Sequence, residues 1–406
     1  APGHPALTRN LGVIVATRGD HRAALACFDA VIAVEPVYAS AHYNRAVALQ
    51  SLGRSREAIA AFATTCALEA GHYDAHRALG FLWLGEGDRG RSLDHFARTY
   101  ELRRGEDRTG MAATSLGFAT RAKLRHDADQ FRYLSLRRRD GKRFEMMARA
   151  YEAVLDGFAE APTALDADQL ETIGEDYNTA IHISPAPEVP GGAVNPALNA
   201  GAITPHFKDG AGGAVWFDDL LTPPAHAGLR RYLLESTVWH DFDHIGGFVA
   251  SYLEDGLACP LLLQIADEMR ARLPELLGRR PLSQAWAFKG LEGQSEVAAH
   301  ADDGAVSLNF WVTPNEANLD PGRGGLLICR ALPPTAWRMS GYDADRAEIA
   351  AFLDSHRDET LVVPYRDNRA ALFQSRLFHC SDAPSFAGDY AGHRINVTLL
   401  FGRHGR

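Results

Sequence analysis

Cysteine is scarce in this 406-residue chain, and its scarcity excludes several architectures. The five cysteines are Cys27, Cys66, Cys259, Cys329 and Cys380; their number is odd, none lies near another, and no CxxC pair occurs. Neither a disulfide framework nor a structural zinc site is expected, and a reducing cytoplasm fits. Long apolar runs are also missing. Stretches such as Pro260-Leu261-Leu262-Leu263 are far too short to span a bilayer, so no membrane role is expected. No secretory leader is legible at Ala1-Pro2-Gly3-His4, and the lack of an initial Met leaves room for an upstream piece. A basic excess is absent as well. With 42 basic and 51 acidic residues the formal charge is −9, which argues against a nucleic-acid binder. The run from Arg137 to Arg143 reads as a solvated helix end and turn.

What remains is ordinary globular composition, 46% apolar and 23% charged, in a chain long enough for two domains. The first hundred residues repeat. Gly19, Gly53 and Gly87 are 34 residues apart, and Phe28, Phe62 and Phe96 keep the same step. So do Ala24, Ala58 and Ser92, and Gly12, Ala46 and Gly80. Small residues at a crossing let antiparallel helices approach, the glycine ends the first helix of each pair, and the phenylalanine fills the space between pairs. Leu11-Gly12, Gly19, Ala24, Phe28 and Pro36 match the tetratricopeptide (TPR) pattern. Three repeats are expected, at about 5–38, 39–72 and 73–106. Capping helices are expected over 107–160, at Met111–Leu124 and Phe144–Phe158, with Gly141 breaking between them. A turn-rich linker occupies 161–194, around Ser184-Pro185-Ala186-Pro187-Glu188-Val189-Pro190-Gly191-Gly192.

From about 195 to 406 the pattern changes. Helices are expected from Thr222-Pro223-Pro224 to Glu235, with a hydroxyl cap, and from Pro260 to Arg272. A short strand lies between them at Gly247–Leu253. After Pro281 the character is β, with a core at about 284–403. Strands are expected at Gln284–Phe288, Val297–Asp302, Val306–Val312, Gly325–Cys329, Thr360–Val363, Ala370–Gln374, Phe378–Ser381 and Arg394–Phe401. Eight short strands with two supporting helices fit a double-stranded β-helix of the jelly-roll or cupin type. The fold class is thus multidomain α plus β.

Within this region His300, Asp302 and His379 form a two-histidine, one-carboxylate set, the ligand type of non-heme Fe(II) oxygenases. Residues two apart in a strand share a side, so His300 and Asp302 can bind one ion. The same rule groups Arg394 with Asn396 and Thr398, and Ser307 with Asn309 and Trp311. Arg394 offers a planar fork for a distant carboxylate. Together these residues resemble the Fe(II)/2-oxoglutarate-dependent oxygenase superfamily, prolyl hydroxylases included. The resemblance implies Fe(II) on His300, Asp302 and His379, 2-oxoglutarate held by Arg394 with Asn396, Asn309 and Trp311 nearby, and O2 as oxidant. It implies hydroxylation of an unactivated C–H bond with release of succinate and CO2. Asn396 stands where the family has Ser, and Trp311 where it often has Tyr.

Other residues carry weaker readings. Tyr252, Trp286, Lys289 and Arg376 are candidates for a substrate pocket. His240-Asp241-Phe242-Asp243-His244 is a competing metal-like cluster, and His72-Tyr73-Asp74 a second HxD read as packing or surface. Asp303 is expected to cap a turn and Cys380 to face away from the metal as a core thiol. Gly210, Gly212 and Gly213 are read as a plain turn rather than a phosphate loop. The expected partner is a peptide or protein recruited by the repeats. The alternatives are a small-molecule hydroxylase that uses the repeats for homodimerisation, and a non-catalytic TPR scaffold.

Overall fold

The computed structural model describes residues 4–105, 118–159, 162–174, 176–210, 212–242, 247–291, 297–334, 337 and 346–403. The chain divides into two compact units, Ala1–Met111 and Ala112–Arg406. Residues 107–117 of the expected cap lie outside the described part.

The first unit holds three TPR-like helical hairpins. They are α1 (Pro5–Thr17) with α2 (His21–Val34), α3 (Ala39–Ser51) with α4 (Ser55–Leu68), and α5 (Tyr73–Glu86) with α6 (Arg89–Arg104). Helix α2 packs on α3, and α4 on α5. The 34-residue period has a physical cause at each repeated position. Gly19, Gly53 and Gly87 carry φ of +86°, +73° and +81°, the left-handed turn that ends the first helix of each pair. Phe28, Phe62 and Phe96 are almost fully buried. Burial of each ring contributes roughly 1.5–3 kcal/mol. A Cβ on Gly12 would come within 2.7 Å of Phe28, and one on Gly80 within 2.6 Å of Phe96, so these two crossings are closed to any side chain. His72 caps α5 by accepting from the Ala75 amide at 3.2 Å and stacks on Tyr43, which accounts for the second HxD.

The second unit begins with a helical hairpin, α7 (Arg121–Ser135) and α8 (Gly141–Leu155). This corrects the expected cap. Of the expected helix Met111–Leu124, residues 111–117 lie outside the described part, Phe118–Thr120 are not helical, and a helix begins at Arg121; Gly141 opens α8 instead of breaking the chain. The hairpin shares a core with Leu165, Ile173 and Tyr177, and so belongs to this unit. A short two-stranded ribbon, β1 (Phe118–Ala119) and β2 (Thr163–Ala164), and helix α9 (Ala167–Ile173) complete it. The expected linker is not loose. Ser184 N donates to Ser236 Oγ at 3.0 Å, Val189 N to Gln264 Oε1 at 2.7 Å, and Ala193 N to Glu268 at 2.9 Å. Its prolines keep it extended, and side chains supply the partners its backbone needs.

Helices α10 (Ala200–Pro205), α11 (Pro223–Glu235), α12 (Pro260–Arg272), α13 (Pro274–Leu277) and α14 (Arg346–Ser355) flank two antiparallel sheets. Thr222 does precede α11, but its hydroxyl donates to the Gly192 and Ala193 carbonyls instead of capping the helix. The six-stranded sheet runs β3 (Ala214–Phe217), β9 (Ala370–Gln374), β6 (Val306–Trp311), β11 (Ile395–Phe401), β5 (Leu282–Gly290), β4 (Phe248–Tyr252). The three-stranded sheet runs β10 (His379–Ser381), β7 (Leu326–Cys329), β8 (Thr360–Val363). Trp311, Phe373 and Ala371 of the large sheet meet Leu326, Ile328 and Val363 of the small one in a shared core.

Two strand expectations change. Val297–Asp302 is not a strand. It meets the small sheet at the bridge of His300 to His379 and at the Val297 carbonyl, which accepts from the Ser381 amide at 3.1 Å, after which the Asp302 amide turns to the Ser375 carbonyl at 2.8 Å. Strand β3 was not expected at all, because its short apolar run sits between glycines and aspartates that read as turn. Gly212 and Gly213 (φ +59° and +80°) do form that turn.

Candidate metal centre

The bridge between His300 and His379 sets the site. Their backbones exchange hydrogen bonds at 3.0 and 2.9 Å, which brings the rings to 4.3 Å between centroids. Asp302 follows two residues on. Its Oδ1 lies 3.5 Å from His300 Nε2 and its Oδ2 lies 3.6 Å from His379 Nε2. The three side chains place their ligand atoms within 4.8 Å of one another, and among the described residues no other such group occurs.

The imidazole tautomers follow from the backbone. His300 Nδ1 lies 2.8 Å from the Ala298 carbonyl, and His379 Nδ1 lies 3.0 Å from the Leu377 carbonyl. A carbonyl only accepts, so each Nδ1 carries the proton and each Nε2 presents its lone pair. Burial, and then the neighbouring His300, push the His379 imidazolium down to about 4, so this ring is neutral at pH 7.

Arg394, just before β11, is 6% exposed. Its Nε donates to the Gly324 carbonyl at 2.8 Å, Nη2 to the Gly325 carbonyl at 3.2 Å, and Nη1 to Asn396 Oδ1 at 3.1 Å. No described carboxylate pairs with it. Burial draws it down to about 10, so it stays cationic at neutral pH. A buried guanidinium with only neutral acceptors has its charge uncompensated.

His300, His379 and Arg394 open on one cavity. Its walls include His300, His379, Arg394, Asn396, Asn309 and Trp286. The register explains the wall. Trp286, Thr398 and Asn309 face one another across β5, β11 and β6, as do Phe288, Asn396 and Trp311. Asn309 Nδ2 donates to Thr398 Oγ1 at 2.8 Å, while its buried Oδ1 has no partner among the described residues.

Several expected site residues lie elsewhere. Trp311 is fully buried in the core behind Arg394, its ring 5.7 Å from the guanidinium, and does not line the cavity. Lys289 points to the opposite face of β5, one residue out of phase with Trp286 and Phe288. Tyr252 pairs with Trp286 on the outer strand β4 without reaching the cavity wall, and Arg376 is not on it either. Cys380 is half-buried and does line the cavity, contrary to its expected place. Asp303 is exposed. In the competing cluster, His240 is a core residue whose Nδ1 meets Asn178 Oδ1 at 2.9 Å, and Asp243 and His244 lie outside the described residues. Phe288 was missed, although alternation from Trp286 points to it. Ser307 and Ser375 were not assigned to the metal ligands, and only the fold brings them there.

The chain matches no family model and no curated protein. Among solved structures, a MamA mutant is 27% identical over 26% of this chain and 57% of its own length, with a TM-score of 0.25. A MamA fragment from Desulfovibrio magneticus RS-1 is 25% identical over 26% of this chain and 60% of its own, with a TM-score of 0.25. The first TPR of Spaghetti (RPAP3), bound to the HSP90 peptide SRMEEVD, is 17% identical over 26% of this chain and 83% of its own, with a TM-score of 0.24. The alignment thus spans little more than half of the first of these relatives. Each of these likenesses covers about a quarter of this chain. No helix among the described residues is long and apolar enough to cross a membrane.

Proposed function

We propose that this chain is an Fe(II)- and 2-oxoglutarate-dependent hydroxylase, built on a double-stranded β-helix core and acting on a peptide or protein gathered by its TPR-like unit. One observation carries the reading: Arg394, a buried cation with no acid beside it among the described residues, shares a cavity with His300 and His379, whose ligand atoms converge with that of Asp302. A ligand that coordinates a metal at one end and carries a carboxylate at the other satisfies both. 2-Oxoglutarate has that form.

The residues present fit the two groups. Two imidazole Nε2 atoms and one carboxylate are the donor set of a facial Fe(II) site, which leaves positions for a co-substrate and O2. His300 and His379 are oriented by their Nδ1 contacts to backbone. Arg394 would receive the far carboxylate with its fork, and the Gly324 and Gly325 carbonyls hold that fork in place. Asn396 braces the same guanidinium, and the free Asn309 Oδ1 accepts a hydrogen bond at the cavity wall. Trp286 and Phe288 keep one side of the cavity apolar and so exclude water. Iron with 2-oxoglutarate and O2 supplies the oxidation of a C–H bond to an alcohol, with succinate and CO2 as by-products. The protein's part is binding, orientation and dryness. Stacked helical hairpins offer a concave surface suited to peptides, which supports the recruiting role of the first unit.

The test is an anaerobic titration with Fe(II) and then 2-oxoglutarate, followed by visible absorption. A charge-transfer band in the wild type that is lost in Asp302→Ala is the expected result. A folded wild type that shows no band would move the scaffold reading to the front.

A further inference from the structure

We infer that Ser307 and Ser375 form a hydroxyl relay that positions the Asp302 carboxylate for one-oxygen coordination of the metal. The inference rests on the metal reading of the site and adds to it two residues that touch neither metal nor co-substrate.

The relay is closed. Ser307 Oγ donates to Asp302 Oδ2 at 2.7 Å, and Ser307 Oγ and Ser375 Oγ are 2.9 Å apart. A serine hydroxyl has one proton. Since Ser307 spends its proton on the carboxylate, Ser375 must donate to Ser307. The Asp302 amide in turn donates to the Ser375 carbonyl at 2.8 Å. Asp302 is therefore held at its backbone by the residue that also orients the hydroxyl bonded to its side chain.

Burial makes the arrangement costly to leave. Ser307 and Ser375 are fully buried, and Asp302 is 5% exposed. With the carboxylate gone or turned away, the Ser307 hydroxyl would lose its acceptor in a place without water. Gly304 belongs to the same device, because a Cβ there would stand 2.8 Å from Ser375 Oγ and push the hydroxyl out of line.

The consequence for the metal is specific. Ser307 engages Oδ2, which also lies 3.6 Å from His379 Nε2, so Oδ1, 3.5 Å from His300 Nε2, is the oxygen left for the metal. A carboxylate released from this restraint can pivot and offer both oxygens. It would then fill a coordination position that a co-substrate or O2 needs. Ser307 is accordingly a positioning residue, and Ser375 acts one bond further out.

Co(II) reports the point without turnover, since its visible spectrum reads coordination number and its titration reads affinity. Ser307→Ala should weaken Co(II) binding about 10- to 100-fold, the usual cost of losing a group that orients a metal ligand. It should also change the Co(II) bands, while the apo protein keeps its thermal midpoint within a few degrees. Ser307→Thr, which keeps the hydroxyl, should restore affinity and spectrum. Ser375→Ala should give the same spectral change with a smaller loss. Should Ser307→Ala fail to fold, Ser307→Cys keeps the volume with a weak donor and is expected to behave as the alanine does. A wild type that binds Co(II), beside a Ser307→Ala protein with the same affinity and bands, overturns the relay alone. A wild type that binds no Co(II) overturns the metal reading, and the relay with it.

Discussion

The ammonium of Lys289 sits 2.9 Å from the centre of the Tyr390 ring, on the face of β5 turned away from the metal ligands. It is fully buried, and its Nζ makes no hydrogen bond to any of the described residues. Burial holds this lysine well below its ordinary 10.5. The sign of its effect follows. The unfolded chain binds a proton that the fold resists, so stability rises with pH up to the ordinary lysine range. Lys289→Met should stabilise the protein by about 1–3 kcal/mol at pH 7, within the range seen when a buried charge gives way to an apolar side chain. The gap over wild type should narrow as the pH is raised. Urea unfolding at several pH values measures it, and a destabilised Lys289→Met would show that the ammonium does useful work there.

Arg394 should separate co-substrate binding from metal binding. Arg394→Met leaves the triad intact and removes the fork. We expect 2-oxoglutarate to bind about 100-fold more weakly, in line with roughly 2–5 kcal/mol for truncating a buried charge pair. Metal affinity should stay near wild type. Equal loss of both in anaerobic titrations would mean that Arg394 holds the fold and not the ligand.

Two histidines outside the site govern acid sensitivity. Burial pushes His126 down to about 3, against its contact with Asp127, and pushes His393 down to about 4. Both are neutral in the fold, whereas in the unfolded chain they take up protons as the pH falls below about 6.5. Stability should therefore decline between about pH 6.5 and pH 4. His393→Leu should flatten that decline. A urea midpoint that falls as steeply in His393→Leu as in wild type would remove His393 from this account.

The repeat crossings give a prediction for the first unit. Gly80→Ala should destabilise it by about 1–3 kcal/mol, the usual cost of overpacking. The cause is the Phe96 ring, already 2.6 Å from where the new Cβ would stand. Ala46→Gly should cost about 1 kcal/mol through helix propensity and lost packing. A Gly80→Ala protein with the wild-type thermal profile would show that the ring can move aside.

Periodic and alternating features were legible in the sequence. The 34-residue step fixed three hairpins because each glycine, phenylalanine and small residue recurs for a local steric reason. Thr360–Val363 and Ala370–Gln374 fell where alternation put them. His300, Asp302 and His379 do bring their ligand atoms together, although the stretch that carries the first two is not the strand their two-residue spacing assumed. Other features depend on partners distant in sequence. The Val297–Asp302 stretch reads as a strand, yet the Asp302 amide leaves the ladder for Ser375. Lys289 was assigned to the pocket from its neighbourhood, while the phase of β5 turns it away. Trp311 has the right phase but lies too deep, because the second sheet covers it.

The bridge between His300 and His379 ties residues far apart in the chain, so the ligand set cannot exist before the strands around it have met. Contacts of such long range close late in folding. A nascent or partly unfolded chain therefore offers a metal ion no three-armed grip, since only the finished fold brings the three ligand atoms together. Once there, the ion would act as a latch. At a hundredfold excess of free metal over its Kd it would add about 2.7 kcal/mol to the folded state. On the proposed metal reading, the supply of the ion would in that way set the lifetime of the folded protein.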